Sequence, residues 1–412
     1  MNLNNRIKLS GMMFLEFFIW GSWFVTLGTF LGNNLNASGS QTAAVFSTQS
    51  WGAIIAPFII GLIADRFFNA EKILGILHLV GAVLMYQMYN AQDITVFYPY
   101  VLSYMILFMP TLALVNSVSF NQMKDPEKEF STIRVWGTIG WIVAGLMISY
   151  FFHWDSEDAT KAGLLKNTFL MGGIASLLLG VFSFALPKTP PKVATGEKVK
   201  LTEILGLDAL KLLKDKNFAI FFISSILICI PLAFYYQNAH PFLSNVGLDN
   251  PTGKMTIGQI SEVLFLLLLP VFFTRFGFKK TILVGMLAWA VRYALFAYGN
   301  AGDLSYMLII GIALHGVCYD FFFVSGQIYT NSKAGDQYKS SAQGLITLAT
   351  YGIGMLIGFE VAGLITDTYK NVDGSIDWKM VWIIPAGIAA VVFLLFTLFF
   401  NDKDDKVKGQ IV

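Results

Sequence analysis

Seven ionisable side chains stand inside long apolar runs of this 412-residue chain: Glu16, Arg134, Glu262, Arg292, His315, Asp320 and Glu360. Charge within hydrocarbon is costly, so such residues mark a solute path, a proton site or a fixed pair. Arg134, Thr138 and Trp141 recur at i, i+4 and i+7 and so share one helical face. That face offers a fixed cation, a hydroxyl and a large aromatic plane, a set suited to a polar solute containing a ring. A second reading has Arg134 snorkelling to the end of its helix, with Trp141 as packing. Gln259 and Glu262 are i, i+3 neighbours just before the apolar run Val263 to Leu269. A carboxylate that deep must pair, protonate or face water. Glu262 is therefore a proton-coupling candidate, or the static partner of an arginine such as Arg292. His315 and Tyr319 share a face at i, i+4, whereas Asp320 points about 100° away. Asp320, followed by three phenylalanines, is a second proton-coupling candidate or half of a pair that holds helices together. Glu16 lies among aromatics four residues before Trp20, and Glu360 falls where facing water is easy.

These groups need elements that carry them through a membrane. The chain is 55% hydrophobic and 13% charged, about half the charge of a soluble domain. A spanning helix needs about 20 mostly apolar residues. Windows of that kind predict an all-α polytopic membrane protein with twelve transmembrane helices at 8–32, 41–65, 71–90, 94–121, 132–153, 165–187, 217–243, 256–275, 279–299, 303–331, 338–366 and 378–401. Pro57, Pro110 and Pro270 interrupt three of them, which neighbouring helices can accommodate. If the N-terminus is cytoplasmic, 21 of the 28 Lys and Arg residues fall inside and five outside, with Arg134 and Arg292 within spans. That is the positive-inside bias, with both termini cytoplasmic and a bacterial inner membrane as the location. Arg6 and Lys8 precede the first apolar run without a small-residue cleavage site, so that run reads as a retained helix.

The organisation is two pseudo-symmetric six-helix halves: residues 1–187, a cytoplasmic linker 188–216, residues 217–401 and a tail 402–412. Leu205, Leu207, Leu210 and Leu213 among lysines suggest an amphipathic helix on the membrane surface. The loops Gly61 to Phe67 and Thr274 to Lys280 echo each other as short basic joints. Matched halves, count and linker describe the major facilitator architecture, with a solute site near the midplane. Cys229 and Cys318 lie in apolar runs without CxxC spacing and read as packing residues. His78, His153 and His240 lack metal-ligand spacing, and no nucleophile–base set suggests an enzyme. No cofactor or metal is expected, and a net charge of +2 gives no ground for nucleic-acid binding.

The chain also resembles the nucleoside:proton symporter family of the major facilitator superfamily, from the first span to the last. The likeness is carried by Phe18-Ile-Trp20-Gly-Ser-Trp23, Met109-Pro-Thr111, Ile133-Arg134-Val-Trp136-Gly-Thr138-Ile-Gly140 and Leu205-Gly-Leu-Asp208-Ala209. It continues through Gln259-Ile-Ser-Glu262, Arg292-Tyr-Ala-Leu-Phe-Ala-Tyr298-Gly, Tyr319-Asp320-Phe321 and Ala342-Gln343-Gly344. Pro231-Leu-Ala-Phe234-Tyr235-Tyr236 and Leu314-His315-Gly-Val bring it closer to a second branch of that family than to its well-studied permease. The resemblance implies nucleoside uptake coupled to inward proton flow. It further implies solute contacts at Arg134, Thr138, Gln259 and Glu262, aromatic contacts at Trp141, His315 and Tyr319, and an acidic transport residue at Asp320.

Two departures stand out. The polar pair of the seventh span is replaced near Ala233 and Tyr236, although Gln237 and Asn238 follow, and Phe68 stands where the superfamily loop usually has glycine. A lost amide changes hydrogen-bond matching, which discriminates solutes strongly. The expectation is alternating access around spans one, four, five, seven, eight and ten, with span eleven as a further candidate. Arg134, Thr138 and Gln259 bond the solute, Trp141, Tyr236 and Tyr319 stack on its base, and Glu262 or Asp320 carries the proton. The partners are a nucleoside, protons and the bilayer, and the working unit is a monomer. A carrier of a sugar or another polar metabolite would share this architecture. A membrane-embedded sensor or enzyme would need an output domain or a reactive set that the chain lacks.

Overall fold

The structure, a computed structural model, describes residues 2–59, 68–191 and 207–401. The loop echo at 61–67, residues 201–206 of the linker and the tail 402–412 lie outside the described residues. Among those described, ten helical stretches are long and apolar enough to cross a membrane. We number the helices α1 Leu3–Leu35, α2 Gly39–Ile59, α3 Ala70–Asn90, α4 Ile94–Asn121, α5 Pro126–Leu146 and α6 Asn167–Ser183. They continue with α7 Lys216–Asn245, α8 at 251–276, α9 at 278–298, α10 Ser305–Gly335, α11 Ser341–Thr368 and α12 Trp378–Phe399.

The difference between ten and twelve has two causes. The stretch Pro251–Tyr298 is 48 residues long but is broken at Gly277, where φ is 77° and ψ 174°. Only glycine adopts such a backbone without strain, so α8 and α9 are separate helices joined without a loop. The other case is α2, whose described residues end at Ile59, short of the end of the expected span 41–65, and which buries Thr42, Ser47, Thr48, Gln49 and Ser50. The twelve expected spans are consistent with this set.

Internal prolines are commoner than the sequence reading allowed. Pro99, Pro231, Pro241 and Pro385 lie within helices as well as Pro57, Pro110 and Pro270. Three π-helical turns, Met147–Phe151, Asp320–Val324 and Leu348–Gly354, interrupt the fifth, tenth and eleventh spans. Such turns recur at functional sites.

The chain forms two compact units: residues 1–199 with 249–256, and residues 200–248 with 257–412. In unit 1, α1 lies along α5 and α6, while α3 packs on α4 and α6. Gly140 permits the closest of these approaches, because a Cβ there would collide with the Phe14 carbonyl oxygen. At one end of the unit, Glu71 accepts hydrogen bonds from the Thr189 N–H and the Asn69 amide, both at 2.8 Å. At the other, Asp155 accepts from Ser149 Oγ and, at 3.0 Å, from the Thr252 N–H in the first turn of α8.

In unit 2, α7 is central, packing against α11 and α12. The Tyr293 hydroxyl of α9 donates to the Pro231 carbonyl of α7 at 2.6 Å. Asn217 and Asn401 exchange hydrogen bonds of 2.8 and 3.1 Å, tying the start of α7 to the end of α12. In the linker, Leu207–Lys214 is a 3-10 helix whose Ala209 is buried against Ala334, Ala342 and Leu345, with Leu212 beside them, while Leu210 is 44% exposed. Lys333 and Asp215, 3.0 Å apart, pin the same junction. Burial alone raises the Asp215 carboxyl, but the Phe218 N–H and the Lys333 ammonium outweigh it and hold the group below the usual range.

Candidate functional site

Each unit carries its own set of polar and aromatic groups. In unit 1, Arg134, Thr138 and Trp141 are half-buried on α5, and the shared face is real: both ends of it meet α1. The Arg134 guanidinium carbon lies 4.1 Å from the centroid of Phe17, a cation–π contact. Trp141 meets Trp20 edge-on at 5.6 Å, and Trp20 meets Phe108 of α4 at 5.7 Å. Gly137 and Gly140 on the same helix make room for Phe17 and Phe14.

In unit 2 the tenth span supplies His315, Tyr319 and Asp320. His315 and Tyr319 lie on one face with rings 5.8 Å apart, as their spacing requires. His315 also stacks on Tyr235 of α7 at 5.3 Å. Tyr319 shares a hydrogen bond of 2.6 Å with the Tyr351 hydroxyl in the π-turn of α11. Tyr236 is half-buried and within electrostatic reach of Tyr319 and Glu262. Gln259 is half-buried one turn before Glu262 on α8.

Arg292 of α9 is 0% exposed and reaches His315, not Glu262: its Nη1 lies 3.1 Å from His315 Nδ1. Its guanidinium carbon sits 3.6 Å over the Tyr235 ring, and Nε and Nη2 have no hydrogen-bond partner. Guanidinium can only donate, so Nδ1 must accept. The ring hydrogen of a neutral His315 is then on Nε2, which faces Glu262 Oε2 at 4.0 Å. The static Glu262–Arg292 pair is replaced by a chain, arginine to histidine to carboxylate. Glu262 keeps 27% side-chain exposure, whereas Asp320 is 1% exposed with Oδ2 lacking a hydrogen-bond partner. Asp320 lies within electrostatic reach of Glu262, so the two carboxylates form one electrostatic unit although their side chains leave different helices.

Close helix contact sets this geometry. A Cβ at Gly316 would collide with the Ser261 carbonyl carbon and stand 2.5 Å from the Glu262 nitrogen. Ser261 Oγ donates to the Ala313 carbonyl and accepts from the Gly316 N–H. Hydrogen bonds of this kind join spans where apolar packing has no preference over lipid. The sequence reading passed over Tyr351, and it quoted Tyr235 only as part of a motif, without a role in the site. Gln237 and Asn238, which follow the departure in the seventh span, are both buried, with Asn238 bonded to Thr366 at 3.1 Å. Glu360 is exposed, and Cys229 and Cys318 are free and buried.

A helical multi-pass fold with polar and charged groups buried in membrane-length helices defines a membrane transporter of the major facilitator class. Residues 1–405 match the nucleoside H+ symporter family, and the chain belongs to that family. It is 43% identical over 417 residues to YegT of Escherichia coli K12, covering 98% of this chain and 96% of that one. It is 34% identical to the xanthosine permease of the same organism, with full coverage of both. The crystal structure of the nucleoside transporter NupG superimposes with a TM-score of 0.84 at 30% identity, covering 97% of this chain and 100% of that one.

Proposed function

We propose that the protein imports nucleosides across the bacterial inner membrane by proton symport and alternating access, as a monomer in the bilayer with both termini cytoplasmic. Its working parts are the two six-helix halves, 1–187 and 217–401, joined by the linker. Arg134, Thr138 and Gln259 hydrogen-bond the solute, and Trp141, Tyr236 and Tyr319 stack on its base, as the broad faces of tyrosine and tryptophan suit a planar ring. The single observation that carries the proton assignment is the chain Arg292–His315–Glu262 beside the buried Asp320. A carboxylate facing a fixed N–H, with a second carboxylate in electrostatic reach, cannot hold two charges cheaply. Glu262 or Asp320 therefore takes a proton before the solute-loaded helices move and gives it up on the cytoplasmic side.

The NupG and xanthosine permease likenesses support nucleosides over sugars, although a sucrose permease is also similar, at 21% identity. The test is uptake of labelled uridine and adenosine into proteoliposomes with and without an inward proton gradient. Accumulation that requires the gradient is expected. No uptake of either nucleoside, in liposomes that pass a reconstitution control, would overturn the solute assignment. Retained gradient-driven accumulation in both Glu262→Gln and Asp320→Asn would overturn the coupling assignment.

A further inference from the structure

Four helices of unit 1 meet at a carboxylate that the proposed solute set leaves unused. Glu16 of α1 and His78 of α3 are 0% and 2% exposed, with Oε2 and Nε2 2.8 Å apart. The Thr111 hydroxyl of α4 lies 2.5 Å from Glu16 Oε1. Ser176 of α6 lies 3.1 Å from His78 Nδ1 and donates its hydroxyl hydrogen to the His78 carbonyl at 2.9 Å.

The hydrogens available bound what this site holds. Ser176 and Thr111 each have one hydroxyl hydrogen, and each also reaches a backbone carbonyl, that of His78 at 2.9 Å and that of Phe108 at 2.6 Å. With the Ser176 hydrogen on the His78 carbonyl, its oxygen accepts from Nδ1–H. An ionised carboxylate oxygen and a bare ring nitrogen are both acceptors, and cannot face each other at hydrogen-bond distance without a hydrogen between them. That hydrogen sits on Nε2, giving imidazolium against carboxylate, or on Oε2, giving imidazole against carboxylic acid. In both forms the pair has no net charge, and in both it holds one more proton than a separated carboxylate and neutral imidazole. A dry interior tolerates the neutral total and penalises its loss.

The surroundings supply little other charge. Neither α2 nor α6 has a charged residue. From α4, Tyr104 is within electrostatic reach of Glu16. From α5, Arg134 lies over Phe17, the next residue in the chain. From α3 itself, Glu71 and Lys72 stand near its start, and Glu71 is engaged with Asn69 and Thr189.

We propose that Glu16 and His78 form a further proton-binding site, in unit 1, which holds one shared proton while α1, α3, α4 and α6 are packed together and releases it when α1 and α3 part. The site is one turn from the aromatic face described above. Glu16 precedes Trp20 by four residues and Thr111 follows Phe108 by three, so the Glu16–Thr111 bond underlies the Trp20–Phe108 contact. Losing the proton unseats Trp20, and with it Trp141.

The test uses the purified full-length protein and needs no solute, so it stands apart from the nucleoside reading. Glu16→Gln preserves the shape of the site, because its amide N–H donates to Nε2 and its amide oxygen can accept from Thr111, yet it has no proton to release. The melting temperature of the unmutated protein should fall as pH rises, because the folded pair holds a proton that the separated groups give up. Glu16→Gln should melt close to it at the low end and lose at least half of that fall. Should Glu16→Gln not fold, His78→Gln gives the same comparison, since its amide donates to the carboxylate without a releasable proton. In unmutated protein carrying nitrogen-15 histidine, one of the four histidines should keep a protonated Nδ1 and a hydrogen-bonded Nε2 throughout the pH series. Equal pH slopes in variant and unmutated protein, or four histidines that all titrate as free imidazoles, would overturn the proposal.

Discussion

Replacing Gly316 by alanine perturbs the proposed proton chain without touching any of its charged groups. The added Cβ would stand 2.5 Å from the Glu262 backbone nitrogen and closer still to the Ser261 carbonyl carbon. Ordinary contact between such atoms is about 3.5 Å. The obstacle is main chain, so no rotamer change relieves it, and α8 must retreat from α10 by about 1 Å. Overfilling a packed helix contact costs about 1–3 kcal/mol. The retreat also widens the 4.0 Å gap between His315 Nε2 and Glu262 Oε2 and strains the 3.2 Å bond from the Gly316 N–H to Ser261 Oγ. A displacement of about 1 Å at a reacting group can reduce a rate about 100-fold. We therefore expect Gly316→Ala to melt lower than the unmutated protein and to lose gradient-driven uptake by at least about tenfold. Gly387→Ala is the control, because a Cβ there meets nothing within 4 Å and helix propensity favours alanine. Gly316→Ala with unchanged melting and uptake would show that this contact does not set the Glu262–His315 geometry.

Other substitutions separate stability from transport. Arg292→Met removes a buried guanidinium with two unpartnered nitrogens, so melting should hold or rise. Uptake should fall because His315 Nδ1 loses the donor that fixes its ring hydrogen. A lower melting temperature with normal uptake would contradict this. Asp215→Ala removes both an N-cap to the Phe218 N–H and the Lys333 pair, and should cost about 1 kcal/mol near neutral pH. The Asp215 carboxyl is held below its usual range. Its contribution is therefore full above the unfolded value and lost as pH falls through the folded one. Acid melting curves of variant and parent should converge. Tyr351→Phe deletes the 2.6 Å bond to Tyr319 and should cost about 1 kcal/mol, with a raised KM for uptake and little change in maximal rate.

The spans and the faces of single helices were legible in the sequence, because both depend on periodicity within one element. Arg134 and Trp141 meet the same neighbouring helix, and His315 and Tyr319 lie ring to ring, as spacing alone requires. The α8–α9 joint was legible as two spans but not as a hinge without a loop, since one glycine conformation decides it. What crosses between helices was not legible. Glu16 and His78 are 62 positions apart, and Arg292 and His315 are 23 apart. Their meeting depends on the vertical register of packed helices, which no local pattern encodes. The linker shows the same limit: leucines among lysines describe an amphipathic segment equally well whether membrane or protein covers it, and Ala209 and Leu212 find their protein cover on helices far along the chain.

The two buried networks share a construction that explains why the charges survive in an apolar fold. In each unit a glycine-permitted contact brings two backbones together, at Gly140 on Phe14 and at Gly316 on Ser261. Beside each contact an arginine is held by an aromatic face, Phe17 under Arg134 and Tyr235 under Arg292. A ring face stabilises a cation without itself taking a proton. Were Arg292 paired to Glu262 directly, that carboxylate would be committed to its charged form and unable to carry a proton. Interposing His315 keeps Glu262 within reach of a donor while leaving it protonatable. The same logic applies in unit 1, where Arg134 sits on Phe17 and Glu16 turns to His78.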